Sequence, residues 1–248
     1  MKKPIIEIKN LEKSFGELRI LNKISLDVFE GENFIVFGQS GTGKSVLLKC
    51  IVGLLIPDGG DILLNGKSIL NLPTNELNEI RKSMGFLFQG AALYDSMSVR
   101  ENLQFPLIRN YYFSKEELDH KVISTLNMVG LESAIDKMPS ELSGGMRKRI
   151  GLARAIITDP KIMLYDEPTT GLDPITSKEI SVLILELQKK LNMTAIVVTH
   201  DLLCAEIIAD RAIVISNASI IKEGTIKELT SSDNKLLRNF FSNEIIKE

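Results

Sequence analysis

A run of glycine, serine and lysine near the N-terminus has the spacing of a phosphate-binding loop. Residues 38–45 read Gly-Gln-Ser-Gly-Thr-Gly-Lys-Ser, which fits the pattern G-x-x-x-x-G-K-[ST]. In this pattern the glycines let backbone N–H groups turn towards an anion, the lysine reaches the β- and γ-phosphates, and the last hydroxyl can ligate Mg²⁺. The residues expected to contact the nucleotide are Gly38, Gln39, Ser40, Gly41, Thr42, Gly43, Lys44, Ser45 and Val46. The chain is therefore predicted to bind a nucleoside triphosphate, with Ser45 as a ligand of Mg²⁺.

A second element suited to phosphate chemistry lies far downstream. Residues 161–165 form an apolar strand that ends in the adjacent carboxylates Asp166 and Glu167. Because consecutive side chains of a strand point to opposite faces, the two carboxylates suit different tasks. Asp166 is predicted to hold Mg²⁺, and Glu167 is predicted to polarise the attacking water as a general base.

The elements around these residues predict an α/β fold. An apolar strand precedes the phosphate loop, and a helix with its N-terminus at the phosphates follows it. Further along, strands alternate with helices, which predicts a parallel sheet with ligands at the carboxyl ends of its strands. The predicted strands are 33–37, 162–165, 194–199 and 212–215, and the predicted helices are 45–54, 177–191 and 202–209.

The remaining segments predict two smaller lobes. Short alternating stretches at 5–8, 24–28 and 61–64 indicate strands of a small antiparallel sheet beside the nucleotide. Between 97 and 139 the pattern is helical, and Ser114 with two glutamates behind it is a capped helix start.

Composition limits the classes of function. The chain has 248 residues, 44% of them hydrophobic, which is enough for one large domain with a sizeable core. Its net charge of −2 gives no basic field for nucleic acid. Cys50 and Cys204 have neither zinc-site nor disulfide spacing, and no apolar run is long enough to span a bilayer. We therefore expect a cytoplasmic protein with buried thiols, held at a membrane only by a partner.

The segment between the two phosphate elements resembles the signature of the ATP-binding-cassette family. Residues 141–149 read Glu-Leu-Ser-Gly-Gly-Met-Arg-Lys-Arg, where the family usually has LSGGQ, and a helix is predicted at 150–157. Ser143 is a good helix N-cap, and Gly144 and Gly145 allow a close approach to an anion. The resemblance implies that these three residues face the γ-phosphate of a second subunit, in a head-to-tail homodimer with two ATP molecules.

Other landmarks of the family occur in the same order. Phe15 is similar to the aromatic residue that stacks on adenine, and Gln89 to the glutamine that contacts Mg²⁺ and water. Asp173 is similar to the residue that communicates across the dimer, and His200 to the histidine that contacts the γ-phosphate. The resemblance covers about residues 5–230. It implies a RecA-like parallel-sheet core, an N-terminal antiparallel β subdomain and an α-helical signature subdomain at about 97–150.

Three segments resemble the ATPases of Mla/Mce-type lipid transporters more narrowly. They are the Met-Arg-Lys-Arg that follows the signature glycines, the stretch 85–107, and the stretch 165–174. The resemblance implies phospholipid transport, lipid-binding partner proteins, and membrane permease subunits contacted through about residues 90–107. There Ala91, Ala92, Leu93 and Tyr94 are expected to present apolar surface. The chain would then act on the cytoplasmic face of an inner membrane.

Other classes of nucleotide-binding protein fit these motifs less well. A translation-factor-like cassette protein would carry two cassettes, a DNA-repair cassette would carry a long insertion, and a small-molecule kinase would need neither the signature glycines nor His200. The serious alternative is the ATPase of an amino-acid or other small-solute importer. The segment 231–248 is amphipathic, and we interpret it as a tail that packs on its own domain or contacts a partner or a second copy.

Overall fold

The computed structural model describes the backbone of residues 3–245 and the side chains of residues 3–242. The strands are β1 (Pro4–Phe15), β2 (Leu18–Phe29), β3 (Asn33–Phe37), β4 (Gly59–Leu64), β5 (Lys67–Ser68), β6 (Met84–Leu87), β7 (Ile162–Asp166), β8 (Thr194–Thr199), β9 (Arg211–Ser216) and β10 (Ser219–Gly224). The helices are α1 (Lys44–Ile51), α2 (Thr74–Lys82), α3 (Val99–Asn110), α4 (Lys115–Met128), α5 (Gly144–Ile156), α6 (Pro174–Leu191), α7 (Leu202–Ile208), α8 (Ile226–Thr230) and α9 (Lys235–Ile245). No helix of this part of the chain is long and apolar enough to cross a membrane.

The N-terminal strands form the predicted antiparallel sheet, in the order β2-β1-β4-β5. Ile6 and Ile8 of β1 point to the buried face because side chains alternate along a strand. Asn10 has a φ of 48° at a shift in the pairing register, and this bulge returns Leu11 to the buried face. Strand β1 continues past this bulge through charged residues. Both β1 and its partner β2 are longer than predicted.

The larger sheet has the order β10-β9-β3-β8-β7-β6, with parallel pairing from β9 to β6. Phe37 at the end of β3 is level with Thr199 at the end of β8, and Asp166 of β7 is level with Val198. The phosphate loop, the two carboxylates and His200 therefore leave the sheet at one edge, as the predicted parallel sheet requires.

Both faces of this sheet are buried, which explains the unbroken apolar runs of its strands. Ile35 and Phe37 belong to a core cluster shared with the helical lobe. Phe34 and Val36 belong to a second cluster, shared with α1 and the antiparallel sheet. The strand that leads into the phosphate loop is thus fixed from both sides.

Helices α3, α4 and α5 form the lobe between the two phosphate elements. Ser114 caps α4 as predicted: its hydroxyl accepts the backbone N–H of Glu117, and the Glu117 carboxylate accepts the N–H of Ser114. Helix α5 begins at Gly144, earlier than the predicted residue 150, because Ser143 accepts the N–H of Met146 and so caps the helix there.

The C-terminal helix α9 packs on the domain core. Phe240 and Phe241 are buried, and their rings meet the ring of Phe37 edge to face at centroid distances of 5.8 and 5.5 Å. These two side chains therefore pack within their own chain and are not available for contact with a partner. The end of the predicted tail, including Ile246, lies outside the described residues.

Candidate nucleotide-binding and hydrolysis site

The loop between β3 and α1 turns through two glycines in the left-handed region, Gly41 with a φ of 82° and Gly43 with a φ of 97°. A Cβ on Gly43 would lie 2.7 Å from the side chain of Ile20 and 2.8 Å from its carbonyl oxygen, so no larger residue fits. Helix α1 begins at Lys44 without a side-chain cap. Its first N–H groups and its dipole therefore favour an anion at this end.

Lys44 is buried beneath this loop. Its ammonium donates to the carbonyl oxygens of Gly38 (2.6 Å) and Gln39 (3.1 Å) and lies 3.2 Å from Oε1 of Glu167. The ammonium is held where the loop, the helix terminus and the Glu167 carboxylate meet, which is where the motif predicts the β- and γ-phosphates.

The other predicted loop residues divide by exposure. Gln39, Ser40 and Gly41 form the exposed crest of the loop, and the Thr42 hydroxyl donates to the Gln39 carbonyl at 2.8 Å. Val46 is half-buried in the first turn of α1, against the second core cluster. The crest is therefore accessible to a ligand, and Val46 supports it from below.

Ser45 and Asp166 form the oxygen pair that the metal prediction needs. The Ser45 hydroxyl donates to Oδ1 of Asp166 at 2.7 Å. Burial raises the pKa of Asp166, an effect that the Ser45 hydrogen bond opposes in part. A divalent cation would compensate this desolvated carboxylate. Among the described residues no group of three or more His, Cys, Asp or Glu side chains could hold a metal alone. A pair of protein oxygens completed by phosphate and water suits Mg²⁺.

Glu167 has a strained backbone at the centre of the site. Its φ is 50°, a left-handed conformation that costs a residue with a Cβ about 1–2 kcal/mol. Oε2 lies 2.8 Å from Nδ1 of His200 and accepts the Thr170 hydroxyl at 3.2 Å. Burial by itself would raise the pKa of Glu167, but the His200 hydrogen bond and the Lys44 charge outweigh it and lower that pKa below its ordinary value. The carboxylate is thus ionised at neutral pH, which a general base requires.

Gln89 reaches the site through its main chain. Its carbonyl oxygen accepts the ammonium of Lys148 at 2.6 Å, and the same ammonium lies 3.2 Å from the carbonyl oxygen of Glu167. This link was not predicted, because Lys148 stands in a basic run between Arg147 and Arg149, a pattern typical of a solvated helix face.

Phe15 and the signature residues lie on exposed surface. The Phe15 ring is 52% exposed, with the Lys13 ammonium 5.6 Å from its centroid, so it is open to stacking. Ser143 and Gly144 are exposed at the N-terminus of α5. A Cβ on Gly145 would lie 2.8 Å from a side-chain methyl of α6, so only glycine fits. These residues form surfaces to which a ligand or a second subunit has access.

Asp173 is engaged in its own chain. Its carboxylate caps α6 by accepting the backbone N–H groups of Ile175 and Thr176, and it also accepts the Thr176 hydroxyl at 2.6 Å. The Thr176 hydroxyl bond is the main reason that the pKa of Asp173 is lowered. The residue predicted to communicate across a dimer therefore also fixes the start of the helix behind the loop.

The prediction of an apolar permease-contact surface is wrong for two of its four residues. Ala91 is buried, and Leu93 is half-buried against the core of the helical lobe, so neither presents the expected open apolar surface. Ala91 turns inward because its left-handed φ of 61° directs its methyl towards Gly151 of α5. Ala92 and Tyr94 are exposed as predicted.

Comparison with known proteins gives consistent matches. A family model described as ABC transporter matches residues 21–170. The chain is 41% identical over 237 residues to mkl of Mycobacterium leprae, a probable ribonucleotide transport ATP-binding protein, covering 96% of this chain and 68% of that protein. It is 41% identical over 244 residues to MlaF of Haemophilus influenzae, the ATP-binding protein of an intermembrane phospholipid transport system, covering 98% and 92%.

Two further matches bear on substrate and assembly. The methionine import ATP-binding protein MetN of Clostridium tetani is 40% identical over 225 residues, covering 91% of this chain and 70% of that protein. Among solved structures, the dimeric cassette MJ0796 in a post-hydrolysis state with ADP and Pi superposes with a TM-score of 0.82 at 33% identity, covering 89% and 98%.

Proposed function

Because this chain belongs to the ABC transporter family and is an ATPase of that family, we propose that it supplies the energy to move a phospholipid or related lipid through a Mce-type permease. The observation that carries the proposal is the 41% identity to the phospholipid-transport ATPase over 92% of that protein's length. The residues around 85–107 and after the signature glycines support it, because they resemble the same group.

A second candidate is the ATPase subunit of an amino-acid or other small-solute importer. The 40% identity to a methionine-import ATPase over 70% of its length supports this candidate. Another relative is described as a probable ribonucleotide transport protein, and ribonucleotides are also not lipids. We favour the lipid because the match to its ATPase extends over nearly the whole of both chains.

In the proposed reaction the phosphates of ATP lie on the N-terminus of α1, beside the Lys44 ammonium. Glu167 accepts the proton of the attacking water, and His200 and Thr170 hold its carboxylate in place. Ser45, Asp166 and Gln89 would hold Mg²⁺. That ion, when bound, neutralises charge that develops on the phosphates.

The active unit is proposed to be a head-to-tail homodimer that encloses two ATP molecules. The exposed Ser143 and Gly144 and the half-buried Gly145 of one copy would complete the γ-phosphate site of the other, and Asp173 would lie near the junction. Phe15 would stack on the adenine of its own copy. The dimeric state of the similar cassette structure supports this arrangement.

The permease is proposed to dock beside residues 90–107, on the cytoplasmic face of an inner membrane, with lipid-binding proteins on its other side. A groove of about 270 Å³ lies here, lined by Tyr94, Phe105, Arg109 and Arg154 among others. The Tyr94 ring is 44% exposed, packs on Phe105 at 5.0 Å, and has the Arg154 guanidinium 5.4 Å from its centroid. An apolar segment with a carboxylate would complement this aromatic and basic surface.

Purification of the native complex from membranes tests the proposal. A tagged parent chain should bring down a permease and bound phospholipid, identified by mass spectrometry. Tyr94→Glu should lose the permease and its stimulation of hydrolysis, while basal ATPase activity survives. Tyr112→Glu is the matched control, because Tyr112 is fully exposed and does not line the groove. A complex with an amino-acid-binding partner and no lipid would overturn the lipid proposal and favour the importer.

A further inference from the structure

Lys148 occupies an unusual position for a lysine in a basic run. It lies in the second turn of α5 with 6% of its surface exposed, whereas Arg147 is exposed and Arg149 pairs with Glu179 at the molecular surface. Burial lowers the pKa of Lys148, although the charges of Glu167 and Asp166 oppose the shift. Its ammonium makes two contacts to carbonyl oxygens, 2.6 Å to Gln89 and 3.2 Å to Glu167.

The contact with Glu167 holds a strained residue. Strained backbone persists only where its surroundings fix it. The Glu167 N–H donates to the Val198 carbonyl at 2.9 Å, which fixes one side of the residue. The other side is its carbonyl, which precedes Pro168 and accepts two donors, the Lys148 ammonium at 3.2 Å and the Thr170 N–H at 3.3 Å. Loss of the ammonium would leave this side held by the Thr170 N–H alone, so the carboxylate would turn more easily away from Lys44 and His200.

The contact with Gln89 belongs to a longer attachment of its loop to α5. Ala91 and Ala92 are both left-handed, with φ values of 61° and 51°. An added Cβ on Gly151 would lie 2.8 Å from the Ala91 Cβ, and the Arg154 guanidinium donates to the Ala92 carbonyl at 2.6 Å. Lys148, Gly151 and Arg154 follow one another at three-residue spacing, so one face of α5 holds the whole turn.

We propose that Lys148 is a positioning residue for ATP hydrolysis, fixing the backbones of Glu167 and Gln89 to each other through one buried ammonium. The proposal rests on the roles proposed above for those two residues. Because the ammonium is carried by the signature helix, a shift of that helix relative to the sheet changes the placement of both catalytic groups together. Lys148 acts on the alignment of the water and the base and leaves the phosphate loop unchanged.

Steady-state kinetics of the full-length chain separate this role from a structural one. Lys148→Met keeps the length and removes the donor, so kcat should fall about tenfold or more while KM for MgATP changes less than about twofold. Lys148→Arg can donate to both carbonyls and should restore kcat to within about threefold of the parent. Lys190→Met, which removes an exposed ammonium from α6, is the control and should match the parent.

Several outcomes would overturn the proposal. They are a parent-like kcat in folded Lys148→Met, a loss of kcat matched by an equal rise in KM, and no recovery with arginine. If Lys148→Met does not fold, Lys148→Gln provides the test, because its shorter amide can donate to only one of the two carbonyls. A lower kcat at unchanged KM would support the positioning role, and a parental kcat would refute it. Glu167→Gln, measured in parallel, tests the base assignment itself. A fully active Glu167→Gln would remove the premise, whereas an inactive one beside an active Lys148→Met would reject only the Lys148 role.

Discussion

Replacement of Glu167 by glutamine is expected to stop turnover and leave MgATP bound. Glutamine keeps the shape of the side chain but cannot take a proton from water, and loss of a general base typically costs 10²–10⁴ in rate. We therefore expect kcat to fall by at least about tenfold. The Lys44 ammonium loses its ion pair but keeps the Gly38 and Gln39 carbonyls as acceptors. Without the competing carboxylate it is free to bind phosphate, so Kd for MgATP should stay the same or fall.

Lys44→Ala should give the opposite pattern. This change removes the buried cation that faces the phosphates. A charge-assisted hydrogen bond contributes about 1.5–3 kcal/mol, so Kd should rise roughly 10- to 150-fold.

Equilibrium titration with a fluorescent ATP analogue and single-turnover hydrolysis measure the two effects separately. Glu116→Gln, which neutralises an exposed carboxylate on α4, is the control and should behave as the parent. The assignment of Glu167 as base would be refuted by a Glu167→Gln protein that hydrolyses ATP at the parental rate. A loss of binding as large as that of Lys44→Ala would show that the carboxylate acts in binding instead.

Three further outcomes are expected. Glu167→Gln should move from monomer or weak dimer to stable dimer in gel filtration when MgATP is added, and a nucleotide-independent elution volume would contradict closure by ATP. Burial raises the pKa of Cys50 to about 11 and that of Cys204 to about 12. Both thiols should therefore resist a thiol reagent at pH 8 until the protein is unfolded. A fast-reacting thiol in the folded protein would be evidence against this burial. A Cβ on Gly85 would lie 2.4 Å from a backbone carbonyl oxygen of α5. Gly85→Ala should therefore lower the free energy of unfolding, measured by urea denaturation, by about 1–3 kcal/mol. Gly90 has open space around it, so Gly90→Ala should change the free energy of unfolding little.

Features that depend on local sequence were predictable. The bounds of β3 and β8 follow from unbroken apolar runs, and the start of α4 follows from a serine with capping chemistry. The phosphate loop, Asp166 and Glu167 were placed together because parallel strands end at one edge of the sheet.

Features that depend on tertiary contacts were not predictable. Helix α2 buries none of its side chains fully and packs only Leu77 and Ile80 partly against the core, and β10 is an edge strand without a buried face. Neither element was predicted. The inward turn of Ala91 depends on the absence of a side chain at Gly151, which lies 60 residues further along the chain. Lys148 has the same flanking charges whether it points to solvent or to the carbonyls of Gln89 and Glu167, and only the packing of α5 decides between them.

The strand order has a consequence for synthesis on the ribosome. Strand β3, which supports the phosphate loop, pairs with β8 on one side and β9 on the other, and β9 ends at Ser216. The loop leaves the ribosome early, but its supporting strand lacks both neighbours until most of the chain has been translated. Phe37, at the base of the loop, also packs against Phe240 and Phe241, which follow still later in the chain. We therefore expect nucleotide binding only after β9 has been made, and a nascent chain stalled before that strand should not capture ATP.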